Sequence, residues 1–223
     1  MKNNLTEKDI ETLNKFGLEI NDKEKIFNIK KLNISNDEIK YIPTEFFKLI
    51  NLKKLHIHYY RNTELPREIC NLINLEELSI ECNNLKELPK EVGNLINLKE
   101  LYIGCDNLTE LPKEVGNLIN LEKFNIKCDN LKQLPKEICN LTNLKELNIK
   151  CKNLNKLPNE ICNLNSLEKL TISSDKLKKI PKKLGDLPNI KEITIIVKKI
   201  KKIPNEIYDK VELFNVFETY KFE

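Results

Sequence analysis

A chain of 223 residues with 40% hydrophobic and 32% charged side chains can bury one sizeable core, which excludes disorder by composition. Its net charge of +4 is modest, and no stretch approaches eighteen consecutive apolar residues, which excludes a membrane-spanning helix. The start, MKNNLTEKDIETLNKFG, has no basic segment leading into an apolar run, so no secretory signal is read there; seven cysteines, an odd number, imply free thiols in a reducing, intracellular compartment.

In chain order the first element is a helix. Thr6 followed by Asp9 has the form of a capping box, Ile10, Leu13 and Phe16 fall at helical spacing, and Gly17 suits a helix stop. Residues 5–16 are therefore predicted to be helical, and residues 1–28 are assigned to an N-terminal capping helix and half-repeat.

From residue 29 the text repeats. Eight of the nine prolines, from Pro43 to Pro204, stand 23 residues apart without insertion or deletion. Residues 29–211 thus hold eight repeats, numbered here so that each of these prolines is position 15. Position 4 is Leu32, Leu55, Leu78, Leu101, Phe124, Leu147, Leu170 and Ile193, and position 6 is isoleucine from Ile34 to Ile195. That alternation predicts a short strand with one buried face. Apolar residues around and after the proline, such as Leu85, Leu88, Val92 and Leu95, predict one short helical or 3₁₀ turn, with proline at its first position where a missing N–H costs nothing. One repeat's apolar set cannot offset the entropy of ordering 23 residues, so the repeats must stack and share a core. The predicted fold class is an α/β solenoid: a curved stack with a parallel concave sheet and short 3₁₀ or helical convex segments. Residues 212–223, rich in aromatics, break the pattern and are assigned to a C-terminal cap.

The pattern LxxLxI followed by xLxxLPxxI resembles the leucine-rich repeat family in its 23-residue form. The LPxEIGNLxNL phrasing is most similar to plant intracellular Ras-group repeats, Ras-pathway scaffold repeats and stand-alone bacterial or viral repeats. The resemblance implies a fold that hosts many protein partners, among them signalling partners. The family's usual asparagine at position 9 is replaced here by Asp37, Tyr60, Asp106, Asp129, Lys152, Asp175 and Lys198, with Asn83 the exception. Asparagine stands instead at position 10, as Asn84, Asn107, Asn130 and Asn153, behind cysteines at position 8, Cys82, Cys105, Cys128 and Cys151. If the alternation runs on, those cysteines point inward; position 9 and position 10 both remain candidates for the ladder between repeats.

The two histidines, His56 and His58, occupy positions 5 and 7 and point to the concave face, with Ile57 turned to the core. Glu81 lies one repeat on from His58, and two histidines with a carboxylate are the ingredients of a facial metal triad. No further ligand or supporting shell accompanies them, so no metal is assigned and a contact patch is preferred, with Tyr102, Lys127 and Lys150 on the same face. Tyr59, Tyr60, Arg61 and Asn62 break the repeat beside it; a repeat drifting near the cap explains them equally well.

No Ser, His and Asp combination and no glycine-rich phosphate loop is present, so no catalytic residue and no cofactor is assigned. Cys70, Cys139 and Cys162 stand at position 19, where Gly93, Gly116 and Gly185 stand in other repeats, and all seven cysteines read as small core filler before metal or redox chemistry. From Lys176 to Lys202 there are ten lysines against Asp186 and Glu192. Lys156, Lys179 and Lys202 share one position, as do Lys178 and Lys201, and Lys176 and Lys199, which predicts a basic patch. The plain reading is a solvated face. Together these point to a monomeric, non-enzymatic module that binds a protein on its concave face. The alternative is an electrostatic binder of nucleic acid or anionic membrane through the lysine patch.

Overall fold

A computed structural model describes residues 5–16, 18–20, 26, 28–35, 42–58, 63–198, 200, 204–208 and 214–216. Eight strands, one per repeat, are β1 (Lys31–Ser35), β2 (Lys54–His58), β3 (Glu77–Glu81), β4 (Glu100–Gly104), β5 (Lys123–Lys127), β6 (Glu146–Lys150), β7 (Lys169–Ser174) and β8 (Glu192–Val197). With β9 (Phe214–Val216) they form one parallel sheet in sequential order. Each pair from β1 to β8 is offset by one repeat, as in Leu55↔Leu78 and Ile57↔Ile80, so identical positions lie side by side. Positions 4 and 6 face inward and are buried from Leu32 to Ile195, as the alternation predicts. The expected solenoid is the observed one, and β9 continues the sheet past the last repeat.

The return segments are seven 3₁₀ helices among the described residues: η1 (Thr44–Lys48), η2 (Arg67–Asn71), η3 (Lys90–Asn94), η4 (Lys113–Asn117), η5 (Lys136–Asn140), η6 (Asn159–Asn163) and η7 (Lys182–Asp186). In the eighth repeat the four-residue helix α2 (Asn205–Tyr208) takes that place. The proline sits one residue earlier than its sequence suggests. It is the N-cap, with ψ near 136° at Pro89, and its carbonyl accepts the N–H three residues on, as from Val92 at 3.0 Å. A residue with extended ψ at that point lets the chain leave the strand side and start the turn, while fixed φ still suits the ring.

Neighbouring repeats are tied by ladders that differ from the family's position 9. The position 8 cysteines are inward and buried, and the thiols of Cys105, Cys128 and Cys151 donate to the carbonyls of Ile80, Ile103 and Ile126 at 3.7–3.9 Å. Burial pushes the Cys105 and Cys151 thiols up to about 12. In the seventh repeat Ser174 takes the slot; its hydroxyl donates to the Leu154 carbonyl at 2.6 Å and accepts the N–H groups of Lys176 and Leu177. Position 10 makes a second, exposed ladder, Asn153 to Asn130 and Asn130 to Asn107, each at 3.4 Å. A third ladder lies at position 23. The side-chain amides of Asn74, Asn97, Asn120 and Asn143 donate to the carbonyls of Ile50, Ile73, Ile96 and Ile119 at 2.8–2.9 Å.

At the N-terminal end α1 (Glu7–Lys15) closes the core. Thr6 and Asp9 exchange both capping-box bonds, at 2.7 and 3.2 Å. Leu13 is fully buried, Ile10 and Phe16 pack against the core, and the Phe16 ring meets Phe46 edge-on at 5.4 Å. Asp9 also pairs with Lys48 of η1 at 2.8 Å, which fastens the cap to the first repeat. Burial alone would raise the Asp9 carboxyl; the hydrogen bonds from Lys48 and Thr6 outweigh it and hold the group below its ordinary value. Gly17 lies outside the described residues.

Candidate concave binding face

Positions 3, 5 and 7 of each strand form the concave surface, because positions 4 and 6 are committed to the core. On it His56 Nε2 lies 2.7 Å from Glu77 Oε1, and His58 Nδ1 lies 3.2 Å from Glu81 Oε2. Each histidine therefore has its own carboxylate. His56, His58 and Glu81 do not converge as a triad, and no group of three metal-ligating side chains is present among the described residues. Glu77 also takes the Lys54 ammonium, and that hydrogen bond, with the weaker one from His56, holds its carboxyl below the ordinary value against the effect of burial.

Two residues along, Tyr102 is folded over Gly104. A Cβ at Gly104 would sit 2.9 Å from Tyr102 Cε1, 3.0 Å from its hydroxyl and 3.3 Å from Glu81 Cγ, so the absent side chain is what lets the ring lie down. Burial, and then the charge of Glu81, push the Tyr102 phenol up, which keeps it a neutral donor. Beside the ring is a depression of about 180 Å³ lined by Glu81, Asn83, Tyr102, Gly104, Asp106 and Lys127. Asn148 donates to Asn125 at 2.6 Å on the next strands, and Lys127 and Lys150 project from β5 and β6 into solvent. The face thus runs from histidine–carboxylate pairs, across a tyrosine over glycine, to two lysines. Of the six predicted contacts, Glu81, Tyr102 and Lys127 line the depression, His58 joins through Glu81, and His56 and Lys150 flank it. Tyr59, Tyr60, Arg61 and Asn62 lie outside the described residues.

Four of the seven lysines of the predicted basic patch lie among the described residues. Lys156, Lys178 and Lys179 line one cleft of about 410 Å³ between the sixth and seventh repeats, floored by Leu157 and Ile180. Lys176 is exposed but not part of that lining, and Lys199, Lys201 and Lys202 lie outside the described residues. Position 19 of the sixth repeat is Cys162, which lies outside that lining. At Gly93, Gly116 and Gly185 a Cβ would fall 2.2–2.3 Å from a carbonyl of the following repeat, closer than real Cβ atoms come. The cysteine steps must therefore be wider than the glycine steps at that point.

The comparisons agree with this geometry. A model described as a leucine-rich repeat region matches residues 90–211. The chain belongs to the leucine-rich repeat family. A second model, R13L1/DRL21 LRRs, matches residues 1–106. No curated protein matches the chain. Among solved structures, this leucine-rich repeat protein is similar to internalin C2 from Listeria monocytogenes, with 22% identity, 86% of this chain and 83% of that one covered, and a TM-score of 0.67. It is similar to the leucine-rich repeat domain of the type III effector XCV3220 (XopL), with 20% identity over 84% of this chain and 82% of that one, TM-score 0.53. It is also similar to the plant peptide hormone receptor RGFR1 in complex with RGF2, with 25% identity and TM-score 0.52. That match covers 79% of this chain and 34% of the receptor's. The family and fold are those of interaction modules, typically non-enzymatic. No helix among the described residues is long and apolar enough to cross a membrane.

Three further residues line the depression of the leucine-rich repeat face without being among the predicted contacts: Gly104, Asn83 and Asp106. For Gly104 the signal was present, since a glycine at position 7 two residues after an aromatic at position 5 leaves a gap on one strand face. Outside the predicted patch, Glu64, Glu87 and Glu110 share position 13 with Lys156 and Lys179.

Proposed function

We propose that the protein is a non-enzymatic module that binds a protein or peptide partner on its concave face, with His56, His58, Glu81, Tyr102, Lys127 and Lys150 as contacts. The observation that carries this reading is the half-buried Tyr102 ring over Gly104, at the edge of a depression with carboxylates on one side and Lys127 on the other. A rigid aromatic beside a small cavity is the usual anchor of an interface, and surrounding charges select the partner and its register. The peptide-hormone complex named for the plant receptor supports a ligand of peptide or protein type, and the resemblance to Ras-pathway repeats supports a signalling partner. Seven thiols, none in a disulfide, support work in a reducing compartment.

The test is photo-cross-linking from a benzoylphenylalanine at position 102 in native extract, read by quantitative mass spectrometry. A specific partner is expected, and it should be competed away by the unlabelled protein but not by unlabelled His58→Ala/Tyr102→Ala/Lys127→Ala protein of unchanged fold. Equal competition by both proteins would overturn the reading.

A further inference from the structure

Position 13 carries a charge pattern that no other row shares. Along the solenoid it reads Glu64, Glu87, Glu110, Gln133, Lys156, Lys179, and in sequence Lys202 continues it. Three acids, one neutral amide and then bases make a row that reverses sign about Gln133. The six described side chains are all exposed, and none of the five charged ones forms an ion pair with a described residue. They project from an ordered rim. Gln133 and Lys156 form a parallel β-bridge, and Lys86 N–H donates to the Thr63 carbonyl as Asn155 N–H does to Lys132. Like charges are therefore held side by side at the spacing of neighbouring strands, roughly 4.8 Å, where they repel one another.

We propose that this rim is the contact surface for a second copy of the chain, in an isologous dimer whose two-fold axis passes beside Gln133. A two-fold rotation reverses the rim, so the fourth repeat of one copy faces the sixth of the other and the third faces the seventh. Glu110 then meets Lys156 and Glu87 meets Lys179, each twice, while Gln133 meets its own copy. The register is fixed by the common 23-residue repeat, which gives both rows the same spacing. Self-complementarity of one patch is what a two-fold interface requires. An extraneous acidic protein, an anionic bilayer or a nucleic acid would account for the lysine half alone and would leave the glutamate half repelling. The concave face is not used, so this dimer and the proposed concave partner stand or fall separately.

Sedimentation velocity at low salt tests it with wild type, a Glu87→Lys/Glu110→Lys variant and a Lys156→Glu/Lys179→Glu variant. Wild type should dimerise, and added salt should dissolve the dimer. Each variant alone should associate at least about tenfold more weakly, and an equimolar mixture of the two should recover the dimer. Oxidised Gln133→Cys protein should run as a covalent dimer and oxidised Glu87→Cys protein should not, because only position 133 faces itself. A His58→Ala/Tyr102→Ala protein should dimerise like wild type. A wild type that stays monomeric at low salt, a mixture that fails to associate, or a cross-link at position 87 in place of 133 overturns the proposal.

Discussion

The two flanks of the solenoid treat charge in opposite ways. At position 2, just before the strands, the signs alternate from the second repeat to the eighth, Lys53 to Lys191, and Glu76 bridges Lys53 at 2.6 Å and Lys99 at 3.0 Å; Glu122 pairs with Lys145 and Glu168 with Lys191, each at 2.7 Å. At position 13, after the strands, the signs come in blocks, and none of the described charges is paired. In a stack with an invariant repeat, the neighbour of any side chain is the residue 23 away, so alternation is neutralised inside the molecule and segregation is left for something outside it. The lesson is that sign order along a row, more than total charge, separates a structural flank from a binding one.

The largest expected effect concerns how tightly the repeats close. Gly116→Ala drives a methyl into the Glu137 carbonyl, where a Cβ would be 2.3 Å from the oxygen, and should cost about 2 kcal/mol by overpacking. Cys139→Ala, in a step that already accommodates a side chain, should cost less than about 1 kcal/mol. Urea denaturation of both would break the distinction between closed and open steps if the order were reversed. Next comes the anchor of the lysine loop. Ser174→Ala strips the buried N–H of Leu177 and the part-buried N–H of Lys176 of their acceptor and should cost about 2 kcal/mol, with protection of those amides from hydrogen exchange falling first. An unpaired charged flank needs such an uncharged fastening, whereas the paired flank has its ion pairs.

The comparison itself is tested by reversing one charge on each side. Glu76→Lys places four lysines in a row, from Lys30 to Lys99, and should lower the thermal midpoint by roughly 2–3 °C, because an exposed pair is worth little and a run of like charges little more. Lys179→Glu should leave the midpoint of the monomer unchanged or slightly raised, since it breaks no pair with a described residue and relieves the repulsion from Lys156. Equal losses on the two flanks would show that the position 13 lysines have internal partners after all.

The architecture was legible because the period is free of gaps: strand positions, buried cysteines at position 8, the capping box and the stacked sheet all follow from counting. What counting missed was set by backbone detail. The proline moved to the N-cap because the turn starts one residue later than the apolar spacing implies. The asparagine ladder was sought at positions 9 and 10, where the family pattern drew attention, and the shorter amide-to-carbonyl bonds lie at position 23. The histidines were read together because they are close in sequence, but carboxylates from the neighbouring strand separated them: Glu77 sits at position 3 and reaches diagonally to His56. Gly104 and Tyr102 were legible as neighbours on one strand face, but the closeness of the ring to the glycine and the approach of Glu81 from the next strand were not.

The smallest effect is a pH signature carried by the paired flank alone. The two lysines that flank it hold the Glu76 carboxyl down at about 2, against an ordinary value of 4.5. A carboxyl depressed on folding stabilises the native state fully above its unfolded value, and that stabilisation fades as pH falls from about 4.5 towards 2. Glu122 and Glu168 are lowered by Lys145 and Lys191 in the same sense. The thermal midpoint of Glu76→Gln should therefore lie slightly below that of wild type at neutral pH, and the two curves should converge as the solution is acidified through that window. Added salt should shrink the gap at neutral pH, because the pairs are exposed. Curves that ran parallel down to pH 2 would mean that Glu76 is no more stabilised by its lysines in the folded chain than in the unfolded one, and the neutralised flank would lose its claim to hold the stack in register.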